Sequence, residues 1–250
     1  MAVCTSPIVI ASWNGLEATR RAYEGIAAGE DPLEAVVAGV TLVEDDPENH
    51  TVGFGGLPNE DGVVELDAAV MDGRSHRAGA VAGLRGIRHA AQVALSILRH
   101  TNHTLLVGDA AARFAKAVGF REEELLTEAA RKIWLYWKQT RSDRDDWQPP
   151  PVEQLDPAVI RFFKLDRAAA AQNTSAQAPS GQGEAAQAAS GEAGIPGQAP
   201  AVQPDRAPID RPQGTVHCAA RTADGDIVCV TSTSGTAFKI PGRVGDSPIV

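Results

Sequence analysis

The chain is predicted to fold as an α+β protein, and three observations lead there. One strand-like run near the start is followed by two helix-like segments, which argues against a simple alternating parallel sheet. Two alternating runs about Asp224-Gly225 form a hairpin signature near the other end. Between these ends, helical spacing and short apolar runs alternate, and 250 residues suffice for one large core or two small ones.

In chain order, Pro7 to Trp13 reads as a buried strand, with β-branched Ile8, Val9 and Ile10 stopping at Asn14-Gly15. Leu16 to Ala28 has Ala18, Ala22 and Ile26 at helical spacing and closes on Gly29. Asp31-Pro32-Leu33-Glu34 is a helix start, with an Asp cap and Pro at the first position, and the helix runs to Glu44. Val63 to Met71 reads as a strand with Leu66, Ala68 and Val70 on one face, turning at Asp72-Gly73. Ala78 to Ala82 is a second, glycine-broken strand, and Ile87 to Arg99 is a helix with Ala91, Ala94, Leu95 and Leu98 inward. Thr104 to Val107 is a short strand, Asp109 is expected to cap a helix ending at Gly119, and Glu122 to Gln139 is helical.

Beyond Asp143 the pattern decays, and Val159 to Leu165 is a last apolar patch. Ala168 to Pro204 is almost wholly Ala, Gln, Gly, Ser and Pro. Such a segment buries too little to offset roughly 1–2 kcal/mol of backbone entropy per residue, so 168–212 is expected to be a disordered linker within a single domain spanning 1–250. Thr215 to Arg221 and Ile227 to Thr231 make the hairpin, and Phe238 to Ile240 is a short extended piece. With a two-residue turn at Asp224-Gly225, Cys229 falls opposite Ala220 and Cys218 opposite Thr231. The apolar ending Ser247-Pro248-Ile249-Val250 is expected to be the start of a further strand in a truncated chain.

Composition excludes some classes. A net charge of −9 without a Lys/Arg cluster argues against a nucleic-acid partner. The only apolar run near the N-terminus, Ile8 to Ala11, is too short for a membrane span or signal peptide, so no membrane partner and a cytoplasmic location are expected. Three cysteines, Cys4, Cys218 and Cys229, without CxxC spacing indicate buried thiols rather than a disulfide framework or zinc knuckle. Gly53-Phe54-Gly55-Gly56 and Gly79 to Gly83 fit neither dinucleotide nor P-loop patterns, so tight turns and close packing explain them better. His100 and His103, three apart beyond a helix end, fit helix capping better than zinc, and no metal or cofactor is expected. Asn173-Thr174-Ser175 formally matches a glycosylation acceptor but lies in the linker.

Thr215 combines more features. Cutting the Gly214–Thr215 bond would give one residue a hydroxyl nucleophile and a free α-amine, whose ordinary pKa of about 7.7–8.0 suits it as base for its own hydroxyl. The linker ends just upstream, and the hydroxyls of Thr231 to Ser234 return to the same end of the hairpin. A plain strand threonine after a turn glycine is the competing reading.

Several long stretches then narrow the choice: HTVGFGG from His50, ELDAAVMDG from Glu65, RAGAVAGLRGIRHAAQVA from Arg77, HTNHTLLVGDAAARFAKAVGF from His100, and GTAFKIPGRVGDSPI from Gly235. In this order they resemble the glycosylasparaginase family of N-terminal-nucleophile asparaginases. The resemblance implies an αββα sandwich made as a precursor. It implies self-cleavage between Gly214 and Thr215, with 1–167 the main part of an α chain and 213–250 carrying the cut and the start of a β chain. By the same resemblance Thr215 is the nucleophile and Thr233 its supporting hydroxyl. Arg243 clamps the substrate α-carboxylate, Asp246 receives the α-ammonium and Trp13 lines the pocket. The implied substrate is asparagine carrying N-acetylglucosamine, with a homodimer of processed units as the implied assembly. Three departures stand out. Gln213-Gly214 replaces the usual His-Asp, and Gly-Thr is what plant-type asparaginases carry, which favours an isoaspartyl peptidase or L-asparaginase as the alternative. His217 replaces a small residue and is expected to crowd the strand pair. The family continues past GDSPIV through a Thr-Gly-rich segment supplying the oxyanion hole, so a non-processing binding or structural homologue is the third reading.

Overall fold

The computed structural model describes residues 6–141, 150–165 and 214–249. They belong to two units, one made of Met1–Pro149 with Arg211–Val250 and the other of Pro150–Asp210. The expected linker, 168–212, lies outside the described residues, as do Cys4 and Asn173.

The first unit is α+β. Its strands are β1 (Ile8–Ala11), β2 (Leu66–Asp72), β3 (Arg77–Leu84), β4 (Leu105–Val107), β5 (Val216–Arg221) and β6 (Ile227–Thr233). They form one sheet in the order β1-β5-β6-β2-β3-β4, antiparallel except for the parallel β3–β4 pair. The two strands at the end of the sequence therefore sit inside the sheet, between β1 and β2. The helices are α1 (Leu16–Ala27), α2 (Pro32–Glu44), α3 (Ala90–His100), α4 (Gly108–Ala117) and α5 (Glu128–Arg141). No helix among the described residues is long and apolar enough to cross a membrane.

α2 starts as its sequence dictates: Asp31 accepts from Leu33 N and Glu34 N, both at 3.1 Å, ahead of Pro32. It is apolar nearly all round because it is enclosed, packing on β5 and β6 on one side and α1 on another. A Cβ at Gly39 would stand 2.5 Å from the Ala18 carbonyl, so only glycine permits this α1–α2 crossing. α3 similarly lies close over β3, where a Cβ at Gly79 would meet the Ala94 carbonyl at 2.3 Å. The helix-facing side of the sheet is a buried set including Val70, Val216, Cys218, Ala220, Val228 and Val230. The opposite face carries Ile10, Met71 and Ile227, all substantially exposed. One sheet and one helical layer are thus what the described residues contribute to the expected sandwich.

Four local expectations change. The hairpin register is one residue off: Arg221 pairs with Ile227, Ala219 with Cys229 and His217 with Thr231. The loop is longer than two residues because Thr222 N bonds the Asp226 carbonyl at 2.9 Å and Gly225 closes the turn at φ 97°. Cys218 and Cys229 remain unpaired, one on each face of the sheet. α5 begins at Glu128, six residues late, because 123–126 is tied elsewhere: Glu123 N bonds the Gly86 carbonyl and the Leu125 carbonyl accepts from Gly55 N. Asp109 does not cap α4, whose N-cap position is Val107. Phe238 is not extended; it is left-handed at φ 57°, held by a stack on Trp137 at 4.5 Å and a bond to the Pro58 carbonyl at 2.8 Å. That pairing ties α5 to the loop that forms the site.

In the second unit a short 3₁₀ turn (Val152–Gln154) precedes α6 (Pro157–Phe163), which covers most of the expected apolar patch. Asp156 caps α6 by accepting from Ala158 N at 2.8 Å.

Candidate active site

The centre of the sheet delivers hydroxyls to one end. Because Val216 pairs with Ser232, the next pair outward sets Thr215 opposite Thr233, and β2 adds Asp67 beside Thr233. At this end lies a cavity of about 210 Å³ whose walls include Gly214, Thr215, Thr233, Arg243, Asp246 and Ser247. Five residues singled out from the sequence therefore meet at one place. Trp13 does not join them: it sits in the β1–α1 turn, 86% exposed, outside the cavity wall.

The Thr233 hydroxyl is the hub. It accepts from Gly235 N at 3.0 Å, and its proton has two carbonyls in reach, Gly214 O at 3.3 Å and Thr51 O at 3.4 Å. The Thr215 hydroxyl has Ser247 Oγ at 3.5 Å. Gly214 is a glycine for a reason: a Cβ there would lie 2.5 Å from Thr51 Oγ1. Thr51 is itself fixed, its amide and hydroxyl both bonding Asn49 Oδ1 at 3.1 and 2.8 Å. Sequence reading missed Thr51 and Ser247. Thr51 opens the TVGFGG run, where Gly53 and Gly55 take positive φ and press on the Glu44 and Pro47 backbone. That run is thus a set of tight turns, as its pattern indicated, but one that delivers a site neighbour.

Beneath the cavity lies a buried charged base. Lys239 Nζ donates to the Ser234 carbonyl at 3.2 Å and the Glu65 carbonyl at 3.4 Å, with Glu65 Oε2 at 3.9 Å. Glu65 also accepts from Arg85 Nη2 at 2.5 Å, and both its oxygens accept from Gly242 N at 3.2 Å. The carboxylate thus anchors the backbone one residue before Arg243. Burial pushes Lys239 below its ordinary value, and the Asp67 and Glu65 charges pull it back up. Asp67 is pushed up by burial and partly restored by Gly83 N, which donates at 2.8 Å. Arg243 and Asp246 remain exposed at the mouth, free to meet a charged ligand.

His217 does not crowd the strand pair. Its Nδ1 lies 2.8 Å from Thr231 Oγ1 directly across the ladder, its amide donates to Ser12 Oγ at 3.0 Å, and burial lowers its pKa. Register explains this, because the one-residue shift brings Thr231 rather than Ser232 to face the imidazole.

Chemically, the arrangement sets a hydroxyl beside the carbonyl of its own preceding residue, a second hydroxyl on that carbonyl, and separated cationic and anionic groups at the mouth. A family model described as asparaginase matches residues 11–250. The chain is 34% identical over 247 residues to the N(4)-(beta-N-acetylglucosaminyl)-L-asparaginase of Mus musculus, covering 97% of this chain and 62% of that protein. The Rattus norvegicus protein of the same name is 34% identical over 246 residues, with 97% and 61% covered. A Drosophila persimilis protein provisionally given that name is 35% identical over 255 residues, with 97% and 57% covered. The chain thus spans roughly three fifths of the length of the curated relatives it matches, as the shares of 57–62% show.

Proposed function

Because the chain belongs to the asparaginase family, we propose that it is a self-processing threonine amidohydrolase acting on asparagine whose side-chain amide carries N-acetylglucosamine. The observation that carries the reading is the Thr233 hydroxyl 3.3 Å from the Gly214 carbonyl, at the bond preceding Thr215. In maturation, Thr215 Oγ adds to the Gly214 carbonyl carbon while Thr233 stabilises the developing oxyanion. The Gly214–Thr215 C–N bond breaks, the departing nitrogen takes the hydroxyl proton, and water hydrolyses the resulting ester. The products are a Gly214 carboxylate and a free Thr215 amine.

In turnover that amine is the base. Thr215 Oγ attacks the side-chain amide carbon of the substrate, and the amine relays the proton to the leaving nitrogen. The 1-amino sugar departs, and water then cleaves the β-aspartyl ester to release aspartate. Arg243 offers a planar fork to the α-carboxylate and Asp246 a carboxylate to the α-ammonium. Both are exposed at the cavity mouth, which suits a zwitterionic amino acid arriving from solvent. Trp13 is proposed to contact the substrate only where it extends beyond the cavity, since its ring lies outside the wall. The active form is proposed to be a homodimer of processed units in the cytoplasm.

The second reading, an isoaspartyl peptidase or L-asparaginase, is favoured by Gly214, which the contact with Thr51 requires in this chain. Turnover of glycosylated asparagine, β-aspartyl dipeptide and free asparagine separates the two. The expected result is the highest kcat/KM for the glycosylated substrate; a preference for the dipeptide would replace it with the second reading.

A further inference from the structure

We propose that Glu44, a buried carboxyl outside the cavity wall, is a positioning residue for the Gly214–Thr215 site, holding the Thr233 hydroxyl and the Gly214 carbonyl together. The inference rests on the threonine chemistry proposed above and extends it to a residue that chemistry does not use.

Two routes leave Glu44 and both end on Thr233. The first runs through its side chain: Oε1 accepts from Ser232 Oγ at 2.6 Å and from Ala91 N, in the first turn of α3, at 2.9 Å. Ser232 directly precedes Thr233 and points to the helix-facing side, so gripping it sets the pleat that aims Thr233 at the other side. The second route runs through the backbone. The Glu44 carbonyl accepts from Phe54 N at 2.7 Å, and a Cβ at Gly53 would stand 2.3–2.4 Å from Glu44 backbone atoms. The turn seated there carries Thr51, whose carbonyl accepts from Ser234 N at 2.8 Å and lies 3.4 Å from Thr233 Oγ1. The hydroxyl of the same threonine lies against Gly214.

Glu44 is completely buried, and its Oε2 has no hydrogen-bond partner among the described residues. No cation among the described residues pairs with it. The adjacent Asp45, at the C-cap of α2, is its charged neighbour. At the head of α3, Arg88 and His89 both pair with Asp45, at 3.4 and 2.9 Å. In the turn, His50 Nδ1 lies 3.0 Å from the Gly55 carbonyl. On α1, Glu17 pairs with Arg20 and Arg21 with Glu30. Among helix-facing strand residues, β5 brings the Cys218 thiol and β6 brings Ser232. Burial, with a smaller contribution from Asp45, raises the Glu44 carboxyl to about 7, against the pull of Ser232 and Ala91 N. The ionised form is the stronger acceptor for both donors, so the grip on Ser232 tightens as pH rises through neutrality.

The test follows self-cleavage at Gly214–Thr215 by intact mass between pH 5 and 9, in the wild type, Glu44→Gln, Ser232→Ala and the double variant. Self-cleavage is the right readout because the Thr215 amine is not yet free to titrate. The wild-type rate is expected to rise about tenfold through a transition near neutrality. Glu44→Gln is expected to be about tenfold slower at pH 8 and to lack that transition. Ser232→Ala is expected to be severalfold slower, with its transition moved to higher pH because one bond favouring the ionised form is gone. The double variant should be no slower than Glu44→Gln, and His217→Gln should keep the transition. Wild-type rate and pH profile in Glu44→Gln would overturn the inference alone, as would independent, multiplying losses in the double variant. Should Glu44→Gln not fold, an unmoved transition in Ser232→Ala overturns it. A wild type that never cleaves overturns the functional reading, and this inference with it.

Discussion

Glu44 and Glu65 are both wholly buried within a few residues of one site, yet they are held in opposite ways. Glu65 has Arg85, Lys239 and the Gly242 amide around it, a paired charge whose bonds fix the loop carrying Arg243. Among the described residues, Glu44 has a hydroxyl and a backbone amide, no cation, and one bare oxygen. The first is therefore a static anchor, and the second a group whose ionisation is balanced near neutrality. Burial alone does not make a carboxylate a structural fixture. The partners decide.

Removing the paired carboxylate should cost most. Glu65→Ala takes one of two counter-charges, the other being Asp67, from the buried Lys239 and leaves Gly242 N without an acceptor. A loss of about 3–5 kcal/mol is expected in urea unfolding, and a loss below about 1 kcal/mol would dissolve the contrast between the two glutamates.

The unpaired carboxyl should instead reveal itself through pH. Its folded value, about 7, exceeds the ordinary 4.5, so the folded state holds the proton more tightly. Its contribution to stability is then complete below pH 4.5 and lost as pH rises through 7. Relative to Glu44→Gln, the wild type should lose about 3 kcal/mol across that window. Equal pH dependence in the two proteins would show that Glu44 is no more perturbed than an exposed glutamate.

A third carboxylate sharpens the scale. Asp31 caps α2 near the surface, and although its partial burial works the other way, bonds from Arg74 and the Glu34 amide hold it below its ordinary value. Asp31→Ala should cost about 1 kcal/mol in the same unfolding assay, the ordinary worth of a cap. A loss as large as that of Glu65→Ala would mean that its links to Arg74 and Arg99 matter more than exposed pairs usually do.

These residues also mark how far the sequence could be read. Asp31-Pro32 announced α2 because capping is local, and Asp224-Gly225 announced the hairpin. The hairpin register slipped by one because Thr222 N bonds the Asp226 carbonyl, which closes a three-residue loop where Asp224-Gly225 alone suggested two. The start of α5 was misplaced because bonds from Gly55 and Gly86, far away in sequence, take 123–126 out of the helix. Gly214, Thr215, Thr233, Arg243 and Asp246 were legible because they fall within one continuous stretch. Glu44, Glu65 and Thr51 were not, since each reaches the site across more than 150 residues. No local spacing records such contacts.

Everything proposed for the site depends on Thr215 attacking the carbonyl before it. Intact-mass analysis of the purified protein, incubated beside its Thr215→Ala variant, tests this most directly. Two fragments are expected, the first ending at Gly214 and the second beginning at Thr215, with the variant remaining whole. A wild type that stays uncut, or a Thr215→Ala variant that cuts at the same bond, would contradict it.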